Sequence, residues 1–172
     1  MIIGILREPQ SETPVSLLPE AVSQLQKKGF STLVESGAGN GSWASDEDYI
    51  TAGAKVTNAQ EVMSSATILL SINHPASYSQ LPAGKVLVGV YHPMFNPTLM
   101  EDWAKKGITV FSLDMLPRTT RAQSMEVLSS QANISGYKAV LLASHLYPRY
   151  FPMFITAAGS IAPAKVLILG AG

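Results

Sequence analysis

Short runs of aliphatic and β-branched residues alternate with amphipathic helical segments over the first 120 residues, and this alternation constrains the fold more than any other feature. Each apolar run is followed, after a short connection, by a segment of helical periodicity. Strands joined through helices pair in parallel, and the helices then cover both faces of the sheet. The sequence therefore predicts an α/β fold over residues 1–120, a flavodoxin-like parallel sheet of about five or six strands.

Glycine, proline and other turn-forming residues separate the predicted elements. The predicted strands comprise residues 2–6, 31–35, 67–72, 85–90 and 109–113. The predicted helices comprise residues 19–28, 47–52, 59–65 and 97–106. Gly29 and Gly107 directly follow two of these helices, at the position where glycine commonly ends a helix.

A different pattern begins at Thr120, where the strand signal disappears and one long helix is predicted as far as Tyr147. Pro148 and Pro152 end this helix, because proline cannot continue the helical hydrogen-bond pattern. Residues 121–163 are therefore predicted to form a long connecting helix and a linker.

The final segment, AKVLILGAG at residues 164–172, predicts a buried strand that runs into a glycine turn. Gly170 and Gly172 have the G-x-G spacing of a dinucleotide-binding turn, where glycine lets the backbone approach a pyrophosphate at a helix N-terminus. This spacing alone is a weak signal, because a plain strand-end turn carries the same residues. We expect residues 164–172 to be the first strand of a truncated Rossmann domain and the chain to be a fragment of a longer protein.

Composition excludes several classes of function. Twelve basic and twelve acidic residues leave no net charge, whereas nucleic-acid binding needs a basic surface. The absence of cysteine excludes disulfides, thiolate metal sites and cysteine nucleophiles, and three dispersed histidines do not predict a metal site. No apolar run approaches the ~18 residues of a membrane span. We therefore expect a cytoplasmic protein with no direct membrane insertion by this segment.

The most specific local pattern is Arg118-Thr119-Thr120-Arg121-Ala122-Gln123-Ser124, followed by Glu126 and Ser129 at three-residue steps. This segment resembles the NAD(H)-binding component, the alpha subunit, of proton-translocating NAD(P)+ transhydrogenases. Further segments that resemble this family lie in order along the whole chain, at residues 3–8, 34–39, 132–137, 155–159 and 166–172. The resemblance covers the first part of the family's subunit.

The resemblance implies a function for the full-length complex. NAD(H) would bind in a cleft between two domains, with residues 118–129 on the cleft wall, and hydride would pass from NADH to NADP+. The NADP(H) would be held by a partner component, and a membrane component would couple the reaction to proton translocation. By the same resemblance the protein is a homodimer, peripheral to the inner membrane through its partner subunits. The 172-residue chain alone is expected to be inactive.

Hydride transfer between two nicotinamides needs no general acid or base, but it needs the two rings held in contact and aligned. On a helix, Gln123, Glu126 and Ser129 would span about 120° and share one face. By resemblance, Arg118 lies against the nicotinamide part of NAD(H), and Gln123, the catalytic candidate, reaches toward the second nucleotide. Glu126, an aspartate in the family pattern, accepts from the carboxamide, and Ser129 bonds to the same group.

Two alternatives remain open at the level of the sequence. The related alanine dehydrogenases use an arginine, a lysine and a histidine for catalysis on a 2-oxo acid, and the aligned residues here are Pro14, Asn73 and His92. Proline and asparagine cannot hold a carboxylate electrostatically or transfer a proton near neutral pH, and His92 is interpreted as a hydrogen-bonded loop histidine. The other alternative is a non-catalytic module that retains the fold.

Overall fold

The computed structural model describes residues 1–9, 11–75 and 78–170 of the chain. The chain divides into two compact units, Met1–Ala122 and Gln123–Gly172. Among the described residues, the first unit contains a parallel sheet covered by helices, and the second contains one α-helix and a β-hairpin.

The first unit is built around a six-stranded sheet in which every neighbouring pair is parallel. Its strands are β1 (Ile2–Ile5), β2 (Ser31–Glu35), β3 (Lys55–Thr57), β4 (Ile68–Leu70), β5 (Val86–Gly89) and β6 (Thr109–Ser112). Their order is β3-β2-β1-β4-β5-β6. Without β3 this is the flavodoxin order, so β3 extends a flavodoxin-like sheet by one edge strand. The predicted α/β fold is confirmed.

Helices cover both faces of this sheet, as predicted. They are α1 (Pro19–Lys27), α2 (Asp46–Thr51), α3 (Ala59–Ser65) and α4 (Pro97–Lys105). Val34 of β2 lies in one buried cluster with Val22 of α1, whereas the neighbouring Leu33 lies in another with Val62 of α3. Because successive residues of a strand point to opposite faces, β2 contributes to both halves of the core.

Two of the helices begin at side-chain caps. At α2, Ser45 Oγ accepts from the backbone N–H of Asp48, and the Asp48 carboxylate accepts from the backbone N–H of Ser45. The hydrogen bonds from Ser45 hold the pKa of the Asp48 carboxyl below its usual value. At α3, Asn58 Oδ1 accepts from the backbone N–H of Glu61. These bonds define where both helices start.

The sequence does not predict β3. This strand has three residues, of which only Val56 is aliphatic, so no apolar run marks it. It forms because Val56 pairs with Val34 at the free edge of β2. A strand this short is specified by its neighbour rather than by its own pattern.

In the second unit, a 3-10 turn at Gln123–Met125 precedes α5 (Leu128–Leu146). The prediction that the long helix begins at Thr120 is therefore wrong. The backbone N–H groups of Ala122 and Glu126 donate to the carbonyls three residues earlier, which makes tight turns rather than α-helix. Threonine and serine are weak helix formers, and the helical pattern is established only where α5 begins.

The residues after α5 also differ from the prediction. Within the predicted linker, β7 (Phe154–Thr156) and β8 (Gly159–Ile161) form an antiparallel hairpin with a two-residue connection. Residues 164–170, predicted as a buried strand, form no strand, and residues 166–169 are exposed. A buried parallel strand needs neighbours on both sides, and no described strand pairs with residues 164–170. The backbone N–H of Ala164 donates to the Phe151 carbonyl at 2.9 Å.

Candidate functional site

In open parallel sheets, ligands bind outside the carboxyl ends of the strands, where the strand order reverses. Here the order reverses between β1 and β4, since the chain builds one half of the sheet from β1 to β3 and the other from β4 to β6. Polar residues at the ends of four of these strands form two hydrogen-bonded groups, Glu8 with Asn73 and Tyr91 with its partners, which we name together the carboxyl-end network. Its members are Glu8, Ser71, Asn73, Tyr91, His92, Ser112 and Asp114.

Glu8 links the ends of β1 and β4 at the point of reversal. Its side chain is buried, with the residue 6% exposed. The carboxylate accepts from the backbone N–H groups of Ile72, at 2.5 Å, and Asn73, at 2.9 Å, and from the Asn73 amide nitrogen at 3.2 Å. A buried carboxylate is tolerated when donors satisfy it in this way. The Asn73 side chain is therefore bonded within the fold.

Tyr91 links the ends of β4, β5 and β6. Its buried hydroxyl lies 3.1 Å from Ser71 Oγ, and its backbone N–H donates to Ser112 Oγ at 2.9 Å. Burial raises the pKa of Tyr91 to about 12, so the hydroxyl stays neutral at physiological pH. A Cβ at Gly89 would lie 2.6 Å from this hydroxyl and 2.0 Å from the Ser71 carbonyl oxygen. Glycine at position 89 therefore leaves the room that Tyr91 occupies.

His92 and Asp114 form the outer end of the network. Nδ1 of His92 lies 3.5 Å from an Asp114 carboxylate oxygen, and the Ser112 hydroxyl donates to the same carboxylate. The backbone of His92 has φ 47°, in the left-handed region, and its carbonyl accepts from the backbone N–H of Phe95 at 2.9 Å. The imidazole is half-exposed while Asp114 is largely buried behind it. This arrangement places the imidazole beside a carboxylate at the rim of the sheet.

Sequence reasoning assigned no role to this pairing and overlooked Asp114. The order of the strands would predict this contact, because His92 follows β5, Asp114 follows β6, and these strands are neighbours in a parallel sheet. Pro14 lies half-buried in the connection between β1 and α1. Nothing in the structure explains a proline there.

The predicted cofactor residues divide between the two units. Arg118 is exposed in the first unit, and Gln123 is exposed in the 3-10 turn that opens the second. Within the described part of the chain, neither side chain has a hydrogen bond or an ion pair. Both therefore keep all of their donors for a ligand.

Glu126 and Ser129 are brought together by the structure. The Ser129 hydroxyl lies 2.9 and 2.8 Å from the two carboxylate oxygens of Glu126 and donates to that group. Glu126 precedes α5, whereas Ser129 lies in its first turn, so the predicted shared helix face with Gln123 is wrong. The pair nevertheless offers an acceptor and a hydroxyl side by side.

The two glycines of the predicted phosphate turn are only partly described. Gly170 has φ 85°, a conformation that favours glycine, with open space around it. Gly172 lies outside the described residues. Among those residues there is no cluster of metal-ligating side chains, and no helix is both long and apolar enough to cross a membrane.

The N-terminal domain model of the alanine dehydrogenase/PNT family matches residues 4–135. This chain belongs to that family. The family domain therefore includes the whole first unit after residue 3, with the carboxyl-end network, and extends through residues 118–129 into α5. The family resemblance expected from residues 118–129 is confirmed.

Known proteins of two kinds resemble this family member. The NAD(P) transhydrogenase subunit alpha of Haemophilus influenzae is 41% identical over 175 residues, which cover 100% of this chain and 34% of that protein. The crystal structure of a transhydrogenase from Sinorhizobium meliloti has a TM-score of 0.93 at 39% identity, covering 100% of this chain and 52% of that one. An L-alanine dehydrogenase structure has a TM-score of 0.77 at 25% identity, covering 84% and 40%. The chain thus spans one third to about half of these relatives.

Proposed function

We propose that this chain is part of the NAD(H)-binding component of a proton-translocating transhydrogenase, which passes hydride from NADH to NADP+. The observation that carries the proposal is the state of residues 118–129. Arg118 and Gln123 are exposed with unused donors, and the adjacent Glu126 and Ser129 present an acceptor beside a hydroxyl. The similarity to proteins named as transhydrogenases also supports this proposal.

These side chains fit the polar groups of a nicotinamide nucleotide. Bound NADH supplies the hydride, and the residues of this chain bind and orient it. The Glu126 carboxylate accepts from an amide N–H, the Ser129 hydroxyl bonds beside it, and the Arg118 guanidinium offers charged donors to an oxygen. None of these residues needs to move a proton, because hydride transfer between two aligned nicotinamides requires orientation alone.

The remaining parts of the proposal concern the whole protein. We place NADP(H) on a partner component and proton translocation in a membrane component, to which this component is peripheral on the cytoplasmic side. We further propose that the component is a homodimer. Amino-acid oxidation is a weaker candidate for this chain, because the Asn73 amide is bonded to Glu8 and Pro14 carries no charge.

Replacing Gln123 by asparagine in the full-length protein tests the assignment. We expect hydride transfer to NADP+ to fall about 100-fold while NADH affinity changes little, since shortening the side chain misplaces the rings by about 1 Å. Stopped-flow single turnovers measure the transfer, and calorimetry measures NADH binding. The matched control is Gln131→Asn, an exposed glutamine of α5, which should leave both quantities unchanged. Equal losses of rate and affinity would contradict the role, and absence of any NADH binding would favour a non-catalytic module.

A further inference from the structure

A shallow cavity of about 480 Å³, largely open to solvent, lies in the first unit, between the start of α1, the turn at residues 42–44 and α2. It shares no residue with the carboxyl-end network or with residues 118–129. Its lining residues include Leu18, Trp43, Glu20 and Asp48, all of which are exposed to solvent. We name it the Trp43 cavity. Its volume falls within the range of sites that take a ligand side chain or a small molecule.

Trp43 lies in a hydrogen-bonded turn that exposes its side chain to solvent. The residue is 98% exposed, and its backbone has φ 59°, a left-handed conformation that is unusual for tryptophan. The backbone N–H groups of Ser42 and Ala44 both donate to the Gly39 carbonyl, at 2.8 and 3.1 Å, and Ser42 Oγ donates to the Thr13 carbonyl at 2.9 Å. The exposure of the indole therefore follows from a bonded backbone.

The packing of the same turn leaves little freedom. A Cβ at Gly41 would lie 2.5 Å from the Thr13 carbonyl oxygen, so the turn and the residue-13 segment are in close contact. Ala44, on the other side of Trp43, is buried. A large apolar side chain is thus presented outward at a fixed position, and tryptophan at such positions is typical of interaction hot spots.

The charges around the cavity have one sign. Among the described residues, its ionisable wall residues are Glu20 and Asp48, and no basic residue lines it. The Glu20 carboxylate has no hydrogen bond or ion pair within the described part of the chain. Asp48 bonds to Ser45 through Oδ2. Burial raises the pKa of the adjacent Tyr49 to about 12, and the negative charges of Glu20 and Asp46 add to that increase. The cavity therefore complements a positive group.

We propose that the Trp43 cavity is a docking site for a partner polypeptide that inserts an arginine side chain. A guanidinium stacks on an indole face and pairs with carboxylates, which is the combination that Trp43 and Glu20 offer. The aliphatic part of an arginine can lie against Leu18, as long cationic side chains do on apolar surfaces. This site is separate from the proposed cofactor residues and does not depend on them.

Titration of the unmodified 172-residue chain with two peptides tests the proposal. The probes are acetyl-Gly-Arg-Gly-amide and the same peptide with citrulline, which is uncharged and nearly isosteric with arginine. The chain has two tryptophans, and Trp103 is 1% exposed, so a change in tryptophan fluorescence reports Trp43. We expect saturation by the arginine peptide near 1 mM at low salt and binding of the citrulline peptide at least 10-fold weaker. Equal affinities, or no saturation by the arginine peptide, would overturn the proposal.

Variants and a small cation complete the test. Glu20→Gln should weaken the arginine peptide roughly 5-fold, whereas Glu101→Gln, an exposed carboxylate of α4, should not. Trp43→Leu should reduce the affinity for the arginine peptide at least as much as Glu20→Gln does, and calorimetry measures this affinity. Thermal melts establish that each variant is folded. Identical affinities of the two glutamine variants for the arginine peptide would refute the proposal. Methylguanidine serves as the small cation, and if it binds as tightly as the peptide, docking of a polypeptide side chain is refuted.

Discussion

The two units of the chain differ in how much of their apolar surface is buried. In the first, Leu69 and Val62 are fully buried, and the core extends across both faces of the sheet. In the second, no described residue is buried, and α5 exposes Ile134, Val140 and Leu142 by about half or more. One unit is stabilised by its own packing, while the other has secondary structure without a core of its own.

This difference explains where side chains can carry function at little cost to stability. Burial of apolar side chains contributes most of the folding free energy. Substitutions of the exposed residues in the second unit should therefore cost little stability. Gln123 and Ser129 lie in the second unit, and both are exposed. The carboxyl-end network lies in the first unit, where Glu8 and Tyr91 are buried and also hold the sheet together. Substitutions of buried residues in the first unit should therefore lower stability, whereas substitutions of the exposed Gln123 and Ser129 should not.

The largest expected contrast comes from two leucines. Leu69→Ala, at a side chain that is 0% exposed, should lower the free energy of unfolding by about 2–5 kcal/mol. Leu142→Ala, at a side chain that is 53% exposed on α5, should change it by less than about 0.5 kcal/mol. Urea unfolding followed by circular dichroism measures both. Similar losses would show that α5 is packed in solution and would remove the contrast.

The next contrast is in alkaline solution. The folded-state pKa of Tyr91 is raised to about 12 by burial, whereas an unfolded tyrosine titrates near 10. The unfolded chain therefore loses this proton first, so stability is complete below pH 10 and falls between pH 10 and 12, by about 2–3 kcal/mol for this group. Tyr91→Phe should reduce that fall, while the part that comes from Tyr49 should remain, because burial raises the pKa of Tyr49 to about 12 as well. Tyr137→Phe, at an exposed site on α5, should not reduce the fall, and an equal effect would contradict the assignment.

A smaller effect is expected from charge removal at the point where the strand order reverses. Glu8→Gln replaces one accepting oxygen by an amide that faces the N–H groups of Ile72 and Asn73. We expect a loss of about 1–2 kcal/mol, because a buried donor loses its acceptor. Glu126→Gln in the second unit should cost less than about 0.5 kcal/mol. Thermal unfolding at pH 7 compares the two variants, and a Glu8→Gln protein as stable as the parent would refute the bridging role.

Most of the first unit is predictable from the sequence because its strands and helices find their partners within the same 122 residues. The predicted segments 31–35 and 59–65 match β2 and α3 without change. In the second unit the same local patterns mislead. Residues 166–169 have the composition of a buried strand, but a pattern specifies only what a segment can do when another strand pairs with it. The chain offers no described partner, and these residues stay exposed.

The candidate site stays a prediction from the family resemblance, and the structure adds its local geometry. The family resemblance indicated residues 118–129, and the structure shows that Glu126 and Ser129 are in contact. The resemblance does not predict that the helix starts at Leu128. The segment before it contains serine and threonine, for which 3-10 turns and α-helix differ little in free energy. Asp114 behind His92 depends on strand order, which is a long-range property.

The smallest expected effect is NADH binding by residues 1–172 alone. The described part of this chain contains no strand–turn–helix unit around Gly170 that could hold a pyrophosphate, so under the proposed function the available contacts are those of residues 118–129. Each hydrogen bond contributes about 0.5–1.5 kcal/mol, or up to ~3 with a charged group such as Arg118. Association costs several kcal/mol of lost freedom, which leaves a Kd of about 1 mM or weaker. Calorimetric titration with NADH checks this, with Arg118→Gln as the variant that should abolish the residual heat. A Kd in the low micromolar range would mean that the first unit, through its carboxyl-end network, contributes far more of the cofactor site than residues 118–129 can.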